Sequence, residues 1–308
     1  EVTLSGDARM GIVSADSGPA YFDSRARVSF SLAGESDSGF TFGASFRADN
    51  AGDAADGTAG SVWIEGAFGK LSMGDNDSAA QAVVGQVSGV GYTGLWDHNE
   101  ISYLGDESTS ALYTYSNGGL TVALSVGQQG LVDAWSRDLN EASIAASYAM
   151  DGFKVSIGYE TGYDETENPD AWWVLKSWDH QTTIGADATF GAFTLKARYA
   201  TADGRDYYCV CGWVDVGAAE RTQMALSADY AMDALTVTAF ATQSDISSAL
   251  NNTVHSDRYG LGVAYDLGGG AALKAGYAHV KETGLNNWNP SRFEYSHSDW
   301  DLGLTFSF

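Results

Sequence analysis

The sequence predicts an all-β fold: a 16-stranded antiparallel transmembrane β-barrel with a long third loop folded into the lumen. Three observations carry that expectation. Apolar and polar residues alternate with a period of two over most of the chain. The connections between alternating stretches are by turns short and long, as in an up-and-down membrane barrel. One connection, between Gly74 and Ser110, runs to about 35 residues, far beyond the usual loop of a compact all-β chain, and loops of that length tend to be functional. Residues 1–308 read as one barrel domain, with a constriction loop at about residues 75–110.

In chain order, Val2, Leu4, Gly6, Ala8, Met10 and Ile12 share one face of the first strand, and Thr3, Ser5, Asp7, Arg9 and Gly11 the other. Ala26, Val28, Phe30 and Leu32 then alternate with Arg25, Arg27, Ser29 and Ser31. A third strand sets Phe40, Phe42, Ala44, Phe46 and Ala48 against Thr41, Gly43, Ser45 and Arg47. Strands follow at Ser61–Phe68 and Lys70–Asp75, before the long insert. Beyond it the rhythm resumes near Ala111–Ser116, Leu120–Gly127, Glu141–Met150, Phe153–Thr161, Gln181–Phe190 and Phe193–Ala202. The last five strands fall near Arg221–Ala231, Leu235–Gln243, Asp257–Leu267, Ala272–Lys281 and Ser298–Phe308. Short turns, such as Asp151–Gly152, are expected at one end. Long polar loops are expected at the other: Gln128–Asn140, Gly162–His180, Asp203–Glu220, Ser244–Ser256 and Glu282–His297.

Composition narrows the function. Lys plus Arg is 16 against 40 for Asp plus Glu, a net charge of −24, which repels nucleic acid. Aromatics at 12% argue for a folded chain rather than an acidic disordered one. No apolar run is long enough for a membrane helix, which leaves a membrane barrel open because its strands alternate. The first residues already read as a strand, as in a processed product. The cysteines, Cys209 and Cys211, lack the partners of a metal site; a local disulfide and two free thiols both remain open.

The polarity of the two faces separates a membrane tube from a soluble one. The apolar face is free of charge, as in Phe153/Val155/Ile157/Tyr159 and Tyr259/Leu261/Val263/Tyr265/Leu267. The alternate face carries Lys154, Glu160, Lys196, Arg198 and Lys274 in mid-strand. Turning Arg25 and Arg27 toward lipid would cost roughly 2–4 kcal/mol each near the midplane. A sixteen-stranded tube is too wide to be filled by side chains, so the charged face is expected to line water and the apolar face to meet lipid. Tyrosine and phenylalanine near strand ends would form the interfacial girdles.

The terminal DWDLGLTFSF places Trp300, Leu302, Leu304, Phe306 and Phe308 on one face and ends on an aromatic, resembling the C-terminal signature of bacterial outer-membrane barrels. With the opening VTLSGDARMG, the insert and the YDLGGGA turn, the whole chain resembles the trimeric general porins, nearest to the Rhodobacter type of purple bacteria. That resemblance implies a general diffusion channel in the bacterial outer membrane for small hydrophilic solutes and ions. It also implies a homotrimer among outer-membrane lipid and lipopolysaccharide, and a third loop whose acids face basic residues on the wall.

Carried onto this sequence, the basic wall would be Arg9, Arg25, Arg27 and Arg47, all on the polar face by alternation. The acidic rim would be Asp75, Asp77, Asp97, Glu100, Asp106 and Glu107, in an insert that holds no Lys or Arg. An external, solvated loop is the alternative placement of these acids. The carboxylate excess argues for mild cation preference. No cofactor is required; calcium is the ion the residues suggest, at Asp75, Asp77, Asp106 and Glu107, against the alternative of plain solvated acids. A substrate-specific channel, for sugars for example, would need a line of lumen aromatics, and Trp63 and Phe240 are the exceptions found on that face. A barrel enzyme lacks a recognisable nucleophile–base pair around His98, His180, His255, His279 or His297. A soluble β-rich binding protein would need the opposite polarity of faces.

Overall fold

The structure is a computed structural model that describes residues 1–50, 60–105, 110–127, 141–162, 165–168, 171–209, 213–248, 253–286 and 289–308. All described strands belong to one sheet. In order they are β1 (Val2–Ser14), β2 (Tyr21–Glu35), β3 (Thr41–Asp49), β4 (Gly60–Gly66), β5 (Gly69–Gly74), β6 (Ser110–Asn117), β7 (Leu120–Gly127) and β8 (Ala142–Met150). Then come β9 (Phe153–Thr161), β10 (Ala171–Phe190), β11 (Phe193–Cys209), β12 (Trp213–Met232), β13 (Leu235–Ser248), β14 (Thr253–Gly268), β15 (Ala271–Asn286) and β16 (Asn289–Ser307). A further short segment, Glu165–Asn168, pairs with the start of β10 and prolongs β9. Sixteen strands therefore make the circuit. Each pairs antiparallel with its neighbours in sequence, and β1 closes the ring on β16 from Asp7↔Ser307 to Ser14↔Trp300.

The alternation in the sequence becomes two faces. Phe153, Val155, Ile157 and Tyr159 are exposed, as are Tyr259, Leu261, Val263, Tyr265 and Leu267. Aromatic pairs gather at the short-turn end, with Phe40 5.7 Å from Phe68, Phe190 5.9 Å from Phe193, and Phe193 4.5 Å from Tyr230. The turns there are tight for a local reason. Asp151 and Gly152 both take positive φ, 38° and 80°, the combination that a two-residue hairpin needs to match strand twist.

Four of the expected long loops are much shorter in the structure. Gly162–His180, Asp203–Glu220, Ser244–Ser256 and Glu282–His297 are largely strand, because β10–β16 run on past the ends of their alternating stretches. Ladder pairs reach Val174↔Tyr208 and Cys209↔Trp213, with register shifts at Trp178/His180 and Asp206/Tyr207. Paired backbone groups satisfy one another whatever the side chains are, so a ladder extends into water where the amphipathic pattern stops. The expected loop at Gln128–Asn140 lies outside the described residues, as do Cys211 and the side chain of Cys209.

The buried apolar residues sit where the insert meets the polar face of the wall. Val83, Val84, Val87, Val90, Leu95, Ile101 and Leu104 from the insert are all buried. Val84 lies against Gly158 and Gly185, and the others pack on Ala123, Ala145, Ala200, Ala202, Ala225, Ala278 and Phe240 of the wall. Each buried valine, leucine or isoleucine of the insert contributes about 1.5–3 kcal/mol.

Candidate functional site

The insert opens with Asp75, whose N–H donates to the Gly60 carbonyl at 2.9 Å. A single turn-and-a-half of helix follows, α1 (Ala79–Val84). A helix this short does not hold in water by itself, so its ends have to be satisfied from outside. At the N-terminus Ser78 caps Gln81 N–H at 3.1 Å, while the Ala79 and Ala80 N–H groups donate to Ser125 and Ser143 hydroxyls at 2.8 and 2.9 Å. At the C-terminal end Lys154 Nζ donates to the Val83 carbonyl at 2.6 Å and Arg198 Nε to the Gly85 carbonyl at 2.9 Å. Two cations thus meet the negative end of the helix dipole. The wall gives way where α1 lies: a Cβ on Gly158 would stand 2.5 Å from the Ala80 methyl.

After Gly85 the segment folds back on itself. The Gln86 side chain donates to the Ile101 carbonyl at 2.8 Å and accepts the Ile101 N–H at 3.0 Å; Asn99 Nδ2 donates to the Val87 carbonyl at 2.8 Å. Its tip is fixed by buried Asp301, whose Oδ2 accepts Tyr92 N–H at 2.9 Å, Thr93 N–H at 2.8 Å and the Thr93 hydroxyl at 2.6 Å. A Cβ on Gly276 would come within 2.6 Å of Gly91 Cα, so only glycine admits the tip this close to β15. Leu95, Trp96 and Asp97 then take φ of 47°, 56° and 55°, a left-handed turn that is costly for residues with side chains. Leu95 holds it by being fully buried against Val90, Phe240 and Ala278, while Trp96 is half exposed.

The return limb is tied down by the wall as well. Thr242 Oγ1 donates to the His98 carbonyl at 3.0 Å, and Gln223 and Gln181 donate to the Ser102 carbonyl at 3.1 and 2.8 Å. Glu160, 1% exposed, accepts the Ser78 hydroxyl on one oxygen and Leu104 N–H on the other at 3.3 Å. The two limbs of the insert therefore share a single buried carboxylate.

Alternation places Arg9, Arg25, Arg27 and Arg47 side by side on the polar face of β1–β3, as expected. Their ion pairs stay within the wall. Arg9 binds Asp23 at 3.0 Å, Arg25 binds Asp7 at 3.1 Å, and Arg27 and Arg47 share Asp49 at 3.0 Å each. Arg9 is the member of the four whose hydrogen bonds reach the insert, at the Thr93 carbonyl (3.3 Å), with its guanidinium 5.9 Å from the Tyr92 ring. Burial, then Asp23 and Asp301, push the Tyr92 phenol up to about 12. The acids Asp75, Asp77, Asp97 and Glu100 all keep access to solvent. Burial, and then Asp75, raise the Asp77 carboxyl above its ordinary range. Asp106 and Glu107 lie outside the described residues.

Sequence reasoning named Lys154, Glu160 and Arg198 only as charges on the polar face and missed their role as anchors. It missed Asp301 and the serines altogether. Their signal was present: charged and hydroxyl side chains in mid-strand, opposite a charge-free face. Of the two expected lumen aromatics, Phe240 is buried beneath Val90 and Leu95, and Trp63 lies 5.0 Å from Lys70 Nζ.

Residues 1–285 match the family described as Gram-negative porin. A porin of Rhodobacter capsulatus is 39% identical over 293 residues, covering 90% of this chain and 94% of the relative. A porin structure refined at 1.8 Å superposes with a TM-score of 0.77 at 32% identity, each chain wholly covered. The trimer form of OmpT, an outer-membrane protein of Vibrio cholerae, shares the fold at 13% identity, with a TM-score of 0.72 over 100% of this chain and 99% of that one.

Proposed function

The chain belongs to the Gram-negative porin family, and on that premise we propose that Asp75–Gly105 stands inside the tube as the constriction that sets its size limit and ionic preference. As a family member the protein is a general diffusion porin of the bacterial outer membrane, a channel and not an enzyme. One observation supports the constriction above the others. A single segment bonds to side chains of β7, β8, β9, β11, β13 and β16, and to Arg9 on β1. Strands so far apart around a closed ring can be reached together only from within it.

Small hydrophilic solutes and ions then pass between the segment and the β1–β3 wall. Four guanidinium groups there meet three carboxylates, Asp7, Asp23 and Asp49, so that wall is close to neutral. The solvent-accessible acids of the segment are left to set the sign of the field, which favours cations mildly. Single-channel recording in planar bilayers tests this: the reversal potential in a salt gradient should lie on the cation side, and an anion-side value would overturn it.

The apolar belt would meet outer-membrane lipid and lipopolysaccharide, except where copies of the chain touch. We place a homotrimer contact on β1–β3, where small residues Gly6, Ala8, Ala26 and Ala44 lie among exposed Phe40, Phe42 and Phe46. A stable monomer in mild detergent by native mass analysis would refute it. Calcium is proposed at Asp75 and Asp77, supported by the burial and the neighbouring Asp75 that together raise Asp77; its remaining oxygens would have to come from water or from Asp106 and Glu107.

A further inference from the structure

Three parts of the chain that are remote in sequence converge on one carboxylate beside the tip of the insert. His98 follows the left-handed turn, His297 and Asp299 lie on β16, and Asp16 sits in the β1–β2 connection. His98 Nε2 is 2.7 Å from Asp299 Oδ2, and His297 Nε2 is 3.4 Å from the same oxygen. Asp16 Oδ1 is 3.4 Å from His297 Nε2. Both imidazoles are mostly buried and Asp299 is 2% exposed. Among the described residues, Asp16 and Asp299 have no Lys or Arg partner, so Asp299 faces both imidazoles, and Asp16 that of His297, without a fixed cation.

We propose that His98, His297 and Asp299 form a site for a divalent zinc ion that clamps the tip of the insert to the wall. The donor set is two imidazole nitrogens and one carboxylate oxygen, which with water in the fourth position suits zinc; calcium takes oxygen ligands alone. In a tetrahedral zinc site with bonds of roughly 2.0–2.1 Å, neighbouring donors stand about 3.3 Å apart. The 3.4 Å between His297 Nε2 and Asp299 Oδ2 matches that spacing, the 2.7 Å hydrogen bond from His98 Nε2 to the same oxygen would open by a few tenths of an ångström, and the three atoms of His98, His297 and Asp299 all lie within 4.8 Å of one another.

The groups around the site hold its donors in place. The second Asp299 oxygen accepts Asp16 N–H at 2.7 Å, which leaves Oδ2 turned to the imidazoles. The His297 ring packs against Tyr295 at 5.1 Å, and the hydroxyl of Tyr295 is 3.4 Å from Asp16 Oδ1. Thr242 fixes the backbone of His98. Such outer contacts orient metal ligands. The unfavourable φ values of Leu95–Asp97 also acquire a use, since that turn delivers His98 to β16. A bound ion would join the insert and the last strand at one point.

The test uses the whole protein in detergent, stripped with chelator and titrated with zinc chloride by calorimetry. One ion per chain is expected. His98→Ala and His297→Ala should each weaken binding by at least about tenfold, the lower end of what even an outer-shell change costs. His255→Ala, which removes a histidine paired with Asp245 and Asp257 elsewhere, should change nothing. Cobalt in place of zinc should give the intense visible absorption of a tetrahedral ion in the unmodified protein and lose it in His98→Ala. Hydrogen exchange at Gly94–His98 should slow when zinc is added. No saturable binding, or binding indifferent to both histidine variants, would overturn the site. Binding without slower exchange would overturn the clamp. These readouts are made in solution, so they stand apart from the role of the insert in conduction.

Discussion

On β1–β3 the polar face carries Arg9, Arg25, Arg27 and Arg47 interleaved with Asp7, Asp23 and Asp49, and nearly all of these side chains keep solvent contact. On β7–β13 and β16 the same face carries Ala, Ser, Gly, Gln and Thr among its charges, and many of these side chains are buried under the insert. The difference shows what each region can do. Ion pairs open to water are worth little to stability, about 0–1 kcal/mol, but long charged side chains there set a field. Under the insert, small residues let a second backbone approach, and each buried Glu160 or Asp301 is committed to several N–H and O–H donors. Losing such an acceptor leaves donors unsatisfied at about 1–3 kcal/mol. One wall can set a field and the other holds the insert.

The comparison breaks first at the seat. Gly158→Val puts side-chain atoms where the Ala80 methyl stands, 2.5 Å from the added Cβ, so α1 should be displaced. Single-channel conductance should rise well above the native value, and the insert should become open to protease. Native conductance would show that the insert does not narrow the pore. Next is the shared acceptor. Glu160→Leu should weaken the closure of both limbs by about 1–3 kcal/mol, read as faster amide exchange at Leu104 and Ala79 with the barrel strands unaffected. Equal protection before and after would remove Glu160 from the anchoring scheme.

The open wall should respond in charge and not in fold. Arg25→Ala with Arg27→Ala should move the reversal potential toward cations and leave exchange in the insert unchanged, because both arginines pair with Asp7 and Asp49 and not with the insert. Loosening of the insert would mean the two regions are coupled. The smallest effect is expected from Asp97→Asn with Glu100→Gln, a shift toward anions. Both shifts should fade as salt shortens the screening length from about 8 Å at physiological ionic strength. A shift independent of salt would point to altered shape.

The alternation of Phe193, Leu195, Ala197 and Tyr199 with Thr194, Lys196 and Arg198 was enough to determine strands, their number and which face is wet. That is because a strand's two faces are a property of neighbouring residues alone. The long acid-bearing insert was equally plain. Tertiary structure alone decided that Ser125, Ser143 and Lys154 would satisfy the two ends of α1, and that Asp301 would receive the tip. It alone brought His98 to Asp299, and it kept Arg25 and Arg27 paired within their own wall. Those meetings depend on how sixteen strands stagger and close, and on where a second backbone finds room. A period of two repeats identically on every strand, so it cannot say which residues face one another across the ring.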